Sequence, residues 1–277
     1  MVVEADLRPA GPYSLRLSTL LASDASRRVE DGVVTALLPE GLARAWQLHD
    51  GVVRVQADSE AALARMRWCL ALDDDHSEFL RRFRRDPLIG LATVRLRGLR
   101  PVRVPTVAQA LLRALAGQLI EAKEARRIER RVVRAATRAN GQFHAPPTGA
   151  DFARFAPAEL RRYGLGTRRG SALVRLCRAF DPERLKDAPP AAAAARLGRE
   201  RGLGPWSVGV IGIEGLGCWE RGLARDLGLI KLLSALRGRW VEAEETDELL
   251  APYGEWAGLA SVYLLKGMAR GLVPLTG

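Results

Sequence analysis

The sequence predicts an α+β protein. A small N-terminal antiparallel β-sheet domain with flanking helices, over 1–98, is followed by a domain that is nearly all helix, over 99–277. Three observations predict this. In roughly the first 95 residues apolar and polar side chains alternate, as on half-buried strands. After Pro101 and Pro105 the apolar period lengthens to about 3.6 residues and stays there. A chain of 277 residues with 48% hydrophobic and 27% charged side chains has the composition of a water-soluble globular protein, with material for one large or two smaller cores.

Taken in order, alternation predicts strands over 13–20, 33–38 and 52–57, with Asp31-Gly32 and Asp50-Gly51 as tight-turn pairs beside them. Leu63, Met66 and Leu70 predict a helix over 60–72, and an acidic then basic stretch follows over 73–85. The next helix is led by Val107, Leu111, Leu115 and Leu119, with Thr106 as its cap. The same period predicts helices over 121–138, 157–163, 168–180, 190–199, 205–214, 226–236 and 255–269, with a loop over 141–149. Ala191 to Ala195 is read as a plain helix former, and no internal repeat is found.

Lys and Arg number 43 against 32 Asp and Glu, a net charge of +11. Only Lys123, Lys186, Lys231 and Lys266 are lysines. A GC-rich genome would enrich Arg, but the excess positive charge also suits a polyanion, which points to nucleic acid. No apolar run reaches the ~18 residues of a membrane span, and the start lacks a signal-peptide pattern, so a cytoplasmic protein is expected, nucleoid-associated if bacterial. Cys69, Cys177 and Cys218 are far apart, without the spacing of a zinc or iron–sulfur site. His49, His76 and His144 are scattered and suit surface or capping roles, and Asp73-Asp74-Asp75 reads as a solvated turn. The basic pairs at 81–82, 84–85, 126–127 and 130–131 either face phosphates or are ordinary exposed Arg.

The most informative stretch is Gly202-Leu203-Gly204-Pro205-Trp206-Ser207, between two helical patterns. Two glycines one residue apart permit a turn too tight for Cβ atoms, and Pro205 suits the first turn of a helix whose N–H groups accept a phosphate oxygen. A plain helix–helix turn would read the same way. Asp226 follows Gly204 by 22 residues and opens another helix, either as its cap or as a free carboxylate at its mouth.

With these motifs in order, the chain resembles the helix-hairpin-helix DNA glycosylases, and within them the alkylpurine branch of 3-methyladenine DNA glycosylase II. Ala116-Gly117-Gln118-Leu119 is similar to that family's Gly-Gln segment, Gly202 to Ser207 to its hairpin, and Asp226-Leu-Gly-Leu to its catalytic Asp motif. The strand-rich start is similar to that branch's N-terminal sheet domain.

The resemblance implies a monofunctional glycosylase of base excision repair. It would flip an alkylated purine out of double-stranded DNA and hydrolyse the N-glycosidic bond, leaving an abasic site. Asp226 would be the catalytic carboxylate. Trp206, Gln118, Tyr253 and Trp256 would line the base pocket, although core packing is the alternative for Trp206, Tyr253 and Trp256. Leu119, Gly202, Leu203, Gly204 and Ser207 would contact DNA, with Leu119 as wedge or as a core residue. Carbonyls near Gly198, Arg201 and Gly204 would be the place for a structural sodium or potassium ion; no other cofactor, and no iron–sulfur cluster, is implied. Backbone-cleaving relatives carry a Lys where this chain has Trp206, which has no amine. A monomer is expected. The chain departs from the family at Glu200-Arg201, Val210, Gly254 and Val262, and by lacking a Pro before Asp226. A DNA-binding protein without catalysis and a transcription regulator are the rival readings.

Overall fold

In the N-terminal segment alternate residues turn inward, and the strands pair into one sheet. The computed structural model describes residues 2–118 and 120–274. Strands β1 (Val3–Leu7), β2 (Arg27–Glu30), β3 (Val33–Leu38), β4 (Gly41–Gln47) and β5 (Val53–Ala57) form an antiparallel sheet in the order β1-β5-β4-β3-β2. Glu30 pairs with Val33 across the Asp31-Gly32 turn, whose φ angles of 49° and 78° are the left-handed values of a two-residue hairpin. The stretch read as a strand over 13–20 is instead helix α1 (Leu15–Thr19), capped by the Ser14 side chain. Leu15 and Thr19, four residues apart, are its buried positions, so a helical contact overrides the alternation.

Helix α2 (Glu60–Cys69) lays Leu63 and Met66 on the sheet's inner face, where Val34, Ala36, Ala45, Val53 and Val55 complete the first core. The short helices α3 (Ser77–Arg82), within the acidic then basic stretch over 73–85, and α4 (Gly90–Arg95), beyond it, follow where no helix is predicted. Helices α5 (Val107–Gly117) and α6 (Ala122–Ala136) come next, then the two-stranded β6 (Ala139–Asn140) and β7 (Phe143–His144). Helices α7 (Gly149–Ala153), α8 (Pro157–Arg161), α9 (Thr167–Ala179), α10 (Pro190–Gly198) and α11 (Pro205–Ile211) lead into a π-helical turn, Gly212–Leu216. The chain ends with α12 (Leu227–Arg237), α13 (Glu245–Leu250) and α14 (Ala257–Met268). The helical periodicity of the second half is therefore realised almost element by element, because each apolar stripe finds a partner.

The helical part has two cores. One surrounds α5, with Leu111, Leu115, Val132, Leu173 and Ile211 buried. The other joins Leu229, Leu259 and Tyr263 of the C-terminal helices to Phe79, Phe83, Ile89, Leu96 and Leu99. Residues 79–99, placed with the sheet by the expected boundary at 98, thus share their core with the last three helices. Buried arginines tie the parts together. Arg100 is 0% exposed and donates to the carbonyls of Ala71 and Pro12 at 2.6 and 3.0 Å. Arg113 of α5 meets Asp24, Glu129 and Glu214 at 3.1, 2.8 and 2.5 Å. A charge this enclosed is tolerable only when paired in this way. Among the described residues no helix is long and apolar enough to cross a membrane.

Candidate active site

The hairpin joins α10 to α11. Gly202 holds φ +95°, a conformation that a Cβ would strain, and this reverses the chain. Gly204 is extended and caps α11, with Pro205 at its first position. Just past α5, the Gln118 amide Nε2 donates to the Gly202 carbonyl at 2.8 Å and to Ser207 Oγ at 3.0 Å. Gln118 therefore fixes the hairpin to α5.

Trp206, on the first turn of α11, reaches from the hairpin to the start of α12. Its Nε1–H donates to Asp226 Oδ2 at 2.8 Å. The other carboxylate oxygen, Oδ1, accepts from the Gly228 amide at 2.7 Å and so caps α12. Of the two readings of Asp226, the structure shows the cap; the second oxygen is not free but is bonded to the hairpin's indole. Asp226 is half-buried, at the border between the two helical cores.

The loop before it is held without a proline. Arg225 adopts φ +67°, costly for a non-glycine residue by roughly 1–2 kcal/mol. Its amide donates to Thr246 Oγ1 at 2.7 Å, and its guanidinium pairs with Glu244 at 3.1 Å. Sequence reasoning misses Thr246, because nothing local links a buried threonine on α13 to a loop 21 residues earlier.

Several expected site residues are placed elsewhere. Tyr253 is 2% exposed in the C-terminal core, with its hydroxyl on Asp86 at 3.2 Å and its ring edge-on to Phe83. Trp256 packs against Phe79 in the same core. Tyr253 is therefore a core residue, covered by the residues over 79–99 that fold back on it, while Trp256 lies partly buried at the edge of the same core. Leu203 is buried in the α5 core, and the Ser207 side chain is 1% exposed beneath Gln118, so neither side chain is presented to DNA. Gly202 and Gly204 are exposed. Leu119 lies outside the described residues.

Two of the carbonyls named for a monovalent cation already accept a hydrogen bond. Arg201's accepts from Arg175 Nη2 at 2.6 Å, and Gly204's accepts the Val208 amide at 3.0 Å. Arg175 also pairs with Glu200 at 2.8 Å, so the unusual Glu200-Arg201 brings its own cation to the hairpin. Of the histidines, His76 is not at the surface: it takes the N-cap position of α3 without a side-chain cap bond, is 2% exposed, and lies edge-on to Trp219 with ring centroids 5.2 Å apart. Nor is the acidic run only a solvated turn, since Asp74 pairs with Arg103 and Asp75 accepts from the Ser77 amide at 2.8 Å.

The sheet domain, the helix-hairpin-helix and the carboxylate capping the following helix make up a fold that solved DNA glycosylases share. No protein-family model matches the chain. A DNA-3-methyladenine glycosylase of Bacillus subtilis (strain 168) is 26% identical over 206 residues, spanning 70% of this chain and 68% of its own length. A 3-methyladenine DNA glycosylase from Archaeoglobus fulgidus superposes with a TM-score of 0.81 at 20% identity, over 97% of this chain and 98% of that one. An 8-oxoguanine glycosylase/lyase of Clostridium acetobutylicum, in complex with DNA containing 8-oxoguanine opposite cytosine, superposes at 0.79 and 15%, over 98% of each. The scaffold is thus shared by proteins named for different lesions.

Proposed function

We propose that this protein is a DNA glycosylase of base excision repair, monofunctional, acting on alkylated purines in double-stranded DNA. The observation that carries the reading is the Asp226 carboxylate, half-buried between two helical cores and oriented by a donor on each oxygen. Breaking the N-glycosidic bond builds positive charge on the sugar. A fixed carboxylate in a partly dry site stabilises that charge without reorganising. The remaining lone pairs of the same group orient the attacking water. The exposed hairpin at Gly202 and Gly204 offers backbone amides to a phosphate beside the lesion, which positions the duplex without reading its sequence.

The monofunctional assignment follows from Trp206, which stands at the hairpin without an amine to form a Schiff base. Alkylated purines are favoured by the Bacillus subtilis relative's name, and the structural likeness to an 8-oxoguanine glycosylase/lyase sets the comparison to make. The test is single-turnover base release from duplexes carrying a methylated purine, hypoxanthine, ethenoadenine or 8-oxoguanine, with borohydride added in parallel. Release of the alkylated base without a trapped protein–DNA adduct is expected. Asp226→Asn keeps a good helix cap, so it should stay folded while losing a factor of about 100 or more in rate. Binding of every duplex with no base released would leave a DNA-binding protein without catalysis.

A further inference from the structure

We propose that Trp206 is a positioning residue: its indole N–H holds the Asp226 carboxylate at the angle the reaction needs. The inference rests on the glycosylase reading above and deepens it. Both ends of the indole are fixed. At the pyrrole end the Nε1···Oδ2 distance of 2.8 Å is the short length of a hydrogen bond to a charged acceptor. At the benzo end the ring sits on bare backbone: a Cβ on Gly117 would lie 2.5 Å from Cη2, 3.4 Å from Cζ3 and 3.5 Å from Cζ2. A ring so confined cannot slide to follow bases of different shape.

The effect on Asp226 follows from geometry. An aspartate bonded through one oxygen to its own helix still rotates its carboxylate about that bond. A second donor on the other oxygen removes this freedom. In a half-buried site, where water competes weakly, such a bond is stronger than it would be in solvent. The donor must come from a rigid side chain on the hairpin, and Trp206 supplies it at the hairpin's first helical turn.

Trp206→Phe separates this role from that of a stacking wall, because phenylalanine keeps an aromatic ring at this position but has no N–H. We would measure single-turnover base release at saturating enzyme, together with Kd for a duplex carrying an uncleavable abasic analogue. The rate constant should fall roughly tenfold to a hundredfold, as for losing one hydrogen bond to a charged group, with Kd unchanged within about twofold. Independently, the Trp206 indole N–H resonance, identified by its loss in Trp206→Phe, should move upfield in Asp226→Asn. A Trp206→Phe enzyme that keeps its rate but changes its order of preference among lesions would overturn the proposal in favour of a stacking wall. So would an indole resonance indifferent to Asp226→Asn. A wild type that releases no base removes the glycosylase reading and this inference with it, whereas an active wild type with a full-rate Trp206→Phe removes the inference alone.

Discussion

A single missing methyl group decides how the site is assembled. Gly117 carries no side chain, and this lets the Trp206 indole lie against the end of α5 and reach Asp226. The sequence marks Gly117 as part of a motif, but only the contact with a residue 89 positions away explains it. Gly117→Ala should force the ring off its seat and tilt the carboxylate. Base release should then fall roughly tenfold to a hundredfold, the penalty for displacing a reacting group by a fraction of an ångström to one ångström. Thermal denaturation of the same variant checks that the loss is not unfolding. Asp226 as a helix cap and the hairpin glycines are legible from the sequence because their spacing reports local backbone geometry. Tyr253 and Trp256 are not, since helical spacing is the same for an aromatic facing a pocket and one facing a core.

At the scale of elements, the hairpin is held from outside itself. Gln118 ties Gly202 and Ser207 to α5, and Arg175 of α9 holds the Arg201 carbonyl and the Glu200 carboxylate. Two helices, α5 and α9, therefore set the orientation of a turn whose own sequence specifies only its tightness. Gln118→Ala removes two of these bonds. DNA affinity measured by fluorescence anisotropy should weaken about five- to tenfold, at 0.5–1.5 kcal/mol per bond, with part of the effect masked by water. An unchanged affinity would mean that the hairpin is rigid without the clamp. The π-helical turn after α11 belongs to this scale too: it carries Glu214 back to Arg113 on α5, a contact invisible to helical periodicity.

Across the whole molecule, the segment that leaves the sheet meets the loop before α12 at a buried histidine. His76, on the segment that leaves the sheet, packs edge-on to Trp219 beyond the hairpin, and neither ring nitrogen has a hydrogen-bond partner among the described residues. Burial, reinforced by Arg100 and Arg103, pushes its pKa from 6.5 down to about 3. The folded protein therefore binds fewer protons here than the unfolded chain between these two values, so stability is complete above pH 6.5 and is lost as pH falls toward 3. Between pH 7 and 5 the loss should be about 2 kcal/mol. Urea denaturation at the two pH values measures it, and His76→Phe should flatten the dependence. A wild type equally stable at both pH values would show that His76 is solvated or protonated in the folded state.

The sequence by itself determined the class of fold, the order of the helices in the second half, the tightness of the hairpin and the cap position that Asp226 takes. These depend on local periodicity, on φ angles that only glycine tolerates easily, and on a cap position, all of which are written within a few residues. The tertiary structure alone decided that the residues over 79–99 complete the C-terminal core, that the stretch over 13–20 is a helix, and that Gln118 serves the hairpin. It also decided that the second oxygen of Asp226 is held by Trp206. Each of these is a contact between segments distant in the chain, whose free energy comes from burial and hydrogen bonding that no local pattern records.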